Sequence, residues 1–153
     1  MTVAQADART SAHRASQAEP TLIAVPPDKL GDVFPHIHQH IEGVAERSRG
    51  RFSVPGIIDR IARKEWVLWV VFSDGAVLSV LTAELYRDVS GIKCCRIPFC
   101  TGNGAASWVH LLATIEDWAR AEGCERFDMI ARKGWAKHLP DYKLTHVLLE
   151  KDL

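Results

Sequence analysis

Long hydrophobic runs are missing from this chain: no apolar stretch approaches the roughly 18 residues of a membrane-spanning helix. Excess charge of either sign is missing too. With 19 Lys and Arg against 19 Asp and Glu, the sequence offers no broad field for duplex nucleic acid or an anionic membrane. The N-terminal stretch has no apolar secretory core, only a polar, alanine-rich run from Met1 to Glu19. Cytoplasmic synthesis is the expectation, and with it four reduced thiols, Cys94, Cys95, Cys100 and Cys124. No C-x-x-C occurs, and neighbouring strand residues such as Cys94 and Cys95 face opposite sides, so these read as small buried hydrophobes. His36, His38 and His40 resemble a metal set only superficially. On a helix His38 points away from the other two, and no Cys, Asp or Glu stands at a zinc spacing to complete a site. No metal is expected.

What is present is an ordinary globular balance, 47% hydrophobic and 25% charged over 153 residues, enough for one domain with a substantial core. Residues 1–19 read as a flexible tail and 20–153 as a single domain. Thr21 to Val25 is β-prone and ends at Pro26-Pro27. Leu30, Val33, Phe34, Ile37, Ile41 and Val44 recur at spacings of three and four, which predicts a helix with Asp28 at its cap. Pro35 suits that helix only if its regular part begins there. Ser53 caps a second, shorter helix carrying Ile57, Ile58 and Ile61. From Trp66 the period changes: Trp66–Phe72, the Asp74-Gly75 turn, Val77–Tyr86, the Ser90-Gly91 turn and Ile92–Phe99 predict a three-strand antiparallel meander. A long helix is expected from Ser107, with Trp108, Leu111, Leu112, Ile115 and Ala119 on one face and Gly123 as its stop. A strand at Phe127–Ala131, a short helix at Gly134–Leu139 and a closing strand at Leu144–Leu149 complete the expected order.

Between meander and long helix lies Phe99-Cys100-Thr101-Gly102-Asn103-Gly104-Ala105. Glycines there let successive backbone N–H groups turn toward a phosphate without an intervening Cβ, and a helix N-terminus adds positive potential. A tight strand-to-helix turn is the plainer alternative. The order of elements and this loop resemble the GNAT superfamily of acyl-CoA-dependent N-acyltransferases over about residues 20–153, in particular small phage- and prophage-encoded members that end in a Gly-Trp helix and a strand like Thr145–Leu153. The resemblance implies an α/β fold of mixed sheet, antiparallel meander then strand–loop–helix–strand, with helices on both faces. It also implies acetyl-CoA as co-substrate and an unidentified amine acceptor. The family's loop motif begins with Gln or Arg, where this chain has Phe99; the two glycine positions match Gly102 and Gly104. Phe99 to Ala105 are the residues the resemblance assigns to the coenzyme pyrophosphate.

The same resemblance calls for a Glu base near the third meander strand and a Tyr acid on the last short helix. Ile92–Phe99 has no acidic residue, so Glu84 on the neighbouring strand is the nearest substitute; Leu139 falls at the Tyr position, and Tyr142 is the nearest phenol. Each has a structural alternative, a salt-bridged strand carboxylate and an aromatic at a helix–strand corner. His36, His40 and Arg51 are acceptor-side candidates by position. The competing expectation is a GNAT-fold protein without catalysis, serving as a structural component of a phage particle or in contact with a host target. A protein partner or a second copy is open under either reading.

Overall fold

The computed structural model describes residues 18–153. The expectation for the first 19 residues therefore lies almost wholly outside the described residues. Five strands form one mixed sheet in sequence order: β1 (Thr21–Val25), β2 (Trp66–Ser73), β3 (Ala76–Arg87), β4 (Lys93–Ile97) and β5 (Arg126–Met129). The first four are mutually antiparallel and β5 is parallel to β4. Helices α1 (Leu30–Arg47) and α2 (Val54–Ala62) cover one face. Helices α3 (Ala105–Trp108) and α4 (Leu112–Ala121) cover the other. No helix among the described residues is long and apolar enough to cross a membrane.

The period-two alternation of β2 and β3 divides the core between these faces. Leu68, Val70 and Val80 pack under α1 and α2 with Ile37, Ile41, Ile57 and Ile61. Trp69, Val71, Leu81 and Ala83 pack under α4 with Leu112, Ile115 and Ala119. Both faces are buried, so the central strands are apolar on either side. Ser53 accepts a hydrogen bond from the Gly56 N–H at 3.1 Å and caps α2 as the sequence predicts. Ser53→Ala should cost about 1 kcal/mol in a urea melt, the usual worth of such a cap. A cost near zero would mean that α2 is held by packing alone.

Four expectations need correction. First, α1 starts at Leu30, five residues before Pro35, and Asp28 makes no capping bond because it lies in a 3-10 turn at Pro27–Lys29. Pro35 is tolerated inside because it and Gly31 both lie on the exposed side, where water can satisfy the carbonyl that the missing N–H abandons. Second, the helix expected from Ser107 begins at Ala105 and is broken by a 3-10 turn at Val109–Leu111. Trp108 leaves helical geometry there, at φ −134°, as its indole turns fully into the core. Third, the strand expected over Phe127–Ala131 spans Arg126–Met129. Fourth, Leu144–Leu149 forms no strand: its side chains are exposed, and no backbone hydrogen bond among the described residues involves residues 143–153.

Candidate active site

The site begins where β4 and β5 part. Their parallel ladder runs from Cys94↔Arg126 to Ile97↔Met129, and its last rung is the Ile130 N–H donating to Ile97 O at 3.0 Å. After Pro98 the chain swings back to β3: Cys100 bridges Leu81, and the Thr101 N–H donates to Val80 O at 3.0 Å. A cavity of about 680 Å³ opens between the diverging ends, with Pro98 to Asn103 on one side and Ile130 to Arg132 and Trp135 on the other. The C-terminal half of α1 and the loop after it form its wall through His40, Val44, Arg47, Ser48 and Phe52. A volume of this order accommodates a small-molecule ligand.

Below the parting, a polar triad ties three strands together. Arg96 Nε donates to Asp128 Oδ1 at 2.5 Å, Arg96 Nη2 to Tyr86 Oη at 2.9 Å, and Tyr86 Oη to Asp128 Oδ2 at 2.5 Å. The Arg96 guanidinium also lies 4.6 Å from the Tyr86 ring centroid. These bonds join β5 to β4 and β3 on the side chains that alternate toward the α1 face, and the divergence begins only beyond them.

The seven loop residues divide by role. Phe99 is buried under the site, edge-on to Phe52 at 5.8 Å and to Trp66 at 6.1 Å. Cys100 faces Ser79 Oγ at 3.5 Å. Burial pushes its thiol up to about 11 from an ordinary 9.0, so it is protonated at neutral pH. At pH 8 its alkylation by iodoacetamide, mapped by mass spectrometry, should be roughly a hundredfold slower than that of a free thiol. Equal rates would place it in solvent. Thr101 is buried, with its oxygen accepting the Val80 N–H at 2.9 Å and lying 2.7 Å from His40 Nδ1. Both its backbone N–H and its hydroxyl are therefore committed to holding the loop. The N–H groups of Gly102, Asn103, Gly104 and Ala105 have no backbone acceptor among the described residues. Of these, Gly102 and Asn103 line the cavity and are the donors available to an anion there.

Gly102 has a second reason to be glycine. At φ +94°, a Cβ there would fall 1.9 Å from Leu78 O, so the β3 backbone already occupies the space. Gly104 is different: it is left-handed at φ +68° before α3, and only Ser107 Oγ at 3.7 Å lies near its would-be Cβ. The Trp108 indole N–H donates to Asn103 O at 3.3 Å and holds the loop from beneath. Its stripe position marked Trp108 as core in the sequence; the tie to Asn103 had no signal there.

Of the histidines among the described residues, His40 lines the cavity and the others do not. Burial, aided by the Arg47 charge and opposed by the Val77 backbone, holds it below the ordinary histidine value of 6.5, so it is neutral at pH 7. His36 is exposed, and His38 faces Glu42 at 3.5 Å. Arg47 and Arg132 line the cavity and have no acidic partner among the described residues. Arg51, an acceptor-side candidate by position, pairs with Glu150 at 2.9 Å.

Neither Glu84 nor Tyr142 lines the cavity. Glu84 sits on β3 opposite Arg96 and beside a separate depression with Arg60, Lys64 and Glu65. Tyr142 packs edge-on to Phe127 at 6.2 Å and hydrogen-bonds Glu116; burial and that carboxylate raise its phenol well above the ordinary range. The structure brings the loop together with His40, Arg47 and Arg132, a set that spans 92 positions of the chain from His40 to Arg132, and leaves both acid–base candidates outside.

Several solved structures share this architecture. An aminoglycoside acetyltransferase from an uncultured soil metagenomic sample, solved with sisomicin, aligns at a TM-score of 0.64 and 13% identity, covering 88% of this chain and 96% of that one. A GNAT family acetyltransferase from Staphylococcus aureus aligns at 0.62 with 8% identity, covering 88% and 99%. A Trypanosoma brucei acetyltransferase aligns at 0.60 with 13% identity, covering 88% and 100%. No family model matches the chain, and no curated protein matches its sequence. At these identities the likeness is one of backbone architecture, and on that ground the chain has the fold of the GNAT acetyltransferases.

Proposed function

We propose that this protein is an acetyl-CoA-dependent N-acetyltransferase whose co-substrate enters the cavity between β4 and β5. One observation carries the reading: the uncommitted N–H groups of Gly102 and Asn103 line the same opening as Arg47 and Arg132, two cations without acidic partners among the described residues. Successive backbone donors beside guanidinium groups suit a pyrophosphate, which carries charge and many acceptor oxygens. Phe99, Cys100 and Thr101 belong to this site as its support. The thioester arm would follow the diverging strands inward, where unpaired edges can accept an extended ligand.

Transfer needs the acceptor amine neutral, since only its lone pair attacks the thioester carbonyl. The C–N bond forms, the C–S bond breaks, a proton leaves the nitrogen and the thiolate takes up a proton. His40 is the neutral imidazole in the cavity wall and the group suited to accept that proton. Because its value is depressed, it takes up its charging proton with a midpoint below 6.5. The acid limb of kcat/KM should therefore fall with a midpoint below 6.5, and His40→Gln should flatten that limb and lower kcat about 10²-fold, as loss of a general base does. An unchanged limb in His40→Gln would remove His40 from the reaction.

The test of the co-substrate site is calorimetric titration of the protein with acetyl-CoA, alongside Gly104→Asp. The variant places a carboxylate next to the Gly102 and Asn103 donors, at a position with space for its Cβ. Micromolar binding that the variant loses is expected; no heat and no thermal shift at millimolar acetyl-CoA would overturn the reading. A second reading, a GNAT-fold phage component that makes structural or host contacts without transfer, draws support from Glu84 and Tyr142 lying outside the cavity. It predicts no thioester consumption with any amine.

A further inference from the structure

The cavity has two sides, and they belong to opposite faces of the sheet. The loop that supplies the Gly102 and Asn103 N–H groups leads into α3, which lies with α4 on one face. The opposite wall is α1 and the loop after it, on the other face. With acetyl-CoA held on the loop side, as proposed above, an acceptor approaches the thioester along the α1 wall, and the chemistry of that wall selects it. Among the described residues, no Asp or Glu lines the cavity. A polyamine would meet Arg47 and Arg132 with no carboxylate to receive it, and like charges at close range repel.

Three side chains of that wall lie in one line. His40, Val44 and Arg47 stand at spacings of four and three along α1, so they share a face. Arg47 is laid back along the helix. A Cβ at Gly43 would fall 2.9 Å from Arg47 Nη1 and 3.0 Å from Nη2, so glycine leaves the space in which the guanidinium lies. The charge therefore sits over Gly43, three residues or about 4.5 Å along the axis from His40. It is close enough to help hold the imidazole below its ordinary value. The Ser48 hydroxyl is committed to Ala45 O and the Phe52 N–H, which leaves the guanidinium as the charged donor of this wall. Between and beyond the polar groups the wall is apolar: Val44, and Phe52 edge-on to Phe99 at 5.8 Å.

We infer that the acceptor is an α-amino acid with an apolar side chain, its carboxylate on Arg47, its amine at His40 and its side chain against Val44 and Phe52. A guanidinium fork matches a carboxylate, and a carboxylate two bonds from the amine spans one helical turn when each end makes a hydrogen bond. Arg132 is then the cation left to the pyrophosphate. With no carboxylate in the cavity wall to hold the amine as ammonium, its neutral form keeps the lone pair that reacts. Attack on the thioester carbonyl forms the C–N bond and breaks the C–S bond. The nitrogen's proton passes to His40, and the departing coenzyme thiolate takes a proton from water. The products are an N-acetylamino acid and coenzyme A.

The test is thioester consumption by the full chain at saturating acetyl-CoA with L-leucine, L-leucinamide, glycine and spermidine. kcat/KM for leucine should exceed that for leucinamide about 30-fold, the worth of a charge-assisted pair, and that for glycine about tenfold. Spermidine should not react. In Arg47→Gln the leucine-to-leucinamide ratio should fall to near one, and any change in coenzyme affinity cancels from that ratio. If the variant does not fold, the wild-type panel still decides. Leucine should also raise the melting temperature of the coenzyme-free protein, and leucinamide should not. A protein that binds leucine but not acetyl-CoA would overturn the co-substrate reading and leave the acceptor site standing. A protein that binds acetyl-CoA but does not turn over leucine, or prefers spermidine, would overturn the acceptor and leave the co-substrate site. Equal rates with leucine and leucinamide, as an acceptor read only at a peptide N-terminus would give, or a ratio unchanged in Arg47→Gln, would also overturn it.

Discussion

Gly102→Ala should destabilise the protein by about 3 kcal/mol or more, and so abolish the folded state if its stability is at the low end of the usual range. Two costs combine. At φ +94° a side chain carries left-handed strain, of order 1–3 kcal/mol by itself. The added Cβ also meets Leu78 O at 1.9 Å, Leu78 C at 3.0 Å and Ser79 Cα at 3.2 Å, all of them backbone atoms of β3. Leu78 sits in a bulge of the β2–β3 ladder, but the pairs Val71↔Ser79 and Phe72↔Val77 on either side of it resist its withdrawal. The loop cannot lift either, because Thr101 is bonded to Val80 through both its N–H and its hydroxyl oxygen. Gly91→Ala provides the control: Gly91 is left-handed at φ +86° with nothing within 4 Å of a would-be Cβ, so only the strain remains. The difference between the two variants in urea melts measures the clash. Should Gly102→Ala cost no more than Gly91→Ala, the loop does not lie against β3.

This result bears on how the loop motif should be read. The sequence offers Gly102 and Gly104 as a pair, both explicable by an anion. In the folded chain the two part company: Gly102 is required by close backbone approach whether or not a ligand binds, and Gly104 has no such close contact. A motif match at Gly102 therefore carries less weight for binding than one at Gly104.

The meander, both helix faces and the Ser53 cap were legible because each rests on local order. Period two along Trp66–Tyr86, a turn dipeptide at Asp74-Gly75 and a hydroxyl three residues before an N–H are all visible within a few positions. The helix break at Trp108 was not, since it follows from a side-chain bond to Asn103 and from how deep the indole sits. The cavity wall was illegible for a stronger reason. Arg132 joins His40 and Arg47, two turns apart on α1, only because β5 runs parallel to β4 and then diverges; His40 was a candidate by position, but Arg47 and Arg132 have no local signal that distinguishes them from other surface residues. Glu84 and Tyr142 show the opposite relation: each is near the expected place in sequence, while Glu84 sits beside a separate depression and Tyr142 packs at the corner with Phe127. The pattern of Leu144–Leu149 is strand-like, yet the segment makes no ladder among the described residues, which periodicity alone does not address.

Trp108 joins the core to the site, and its two substitutions should separate those roles. Trp108→Ala removes a fully buried indole packed 5.7 Å from the Trp135 ring and among Leu112 and Ile115, so it should cost about 3–5 kcal/mol. Trp108→Phe keeps most of the ring contact and loses the bond to Asn103 O. The lost hydrogen bond is worth about 1 kcal/mol, with some further cost from the smaller ring. Asn103 O is then freed, and the N–H groups of Gly102 and Asn103, which line the cavity, are no longer held in one orientation. An anion bound by those donors would pay the ordering itself, and about 1 kcal/mol in binding is roughly a fivefold rise in Kd. Trp108→Phe should thus melt cooperatively in urea and still bind acetyl-CoA several-fold more weakly, with Gly104→Asp as the variant that loses binding altogether. Weakened binding in a protein that remains folded would place the Asn103 tie in the ligand site. Unchanged binding in Trp108→Phe would mean that the loop is held by Thr101 and Val80 alone, and that Trp108 serves only the core.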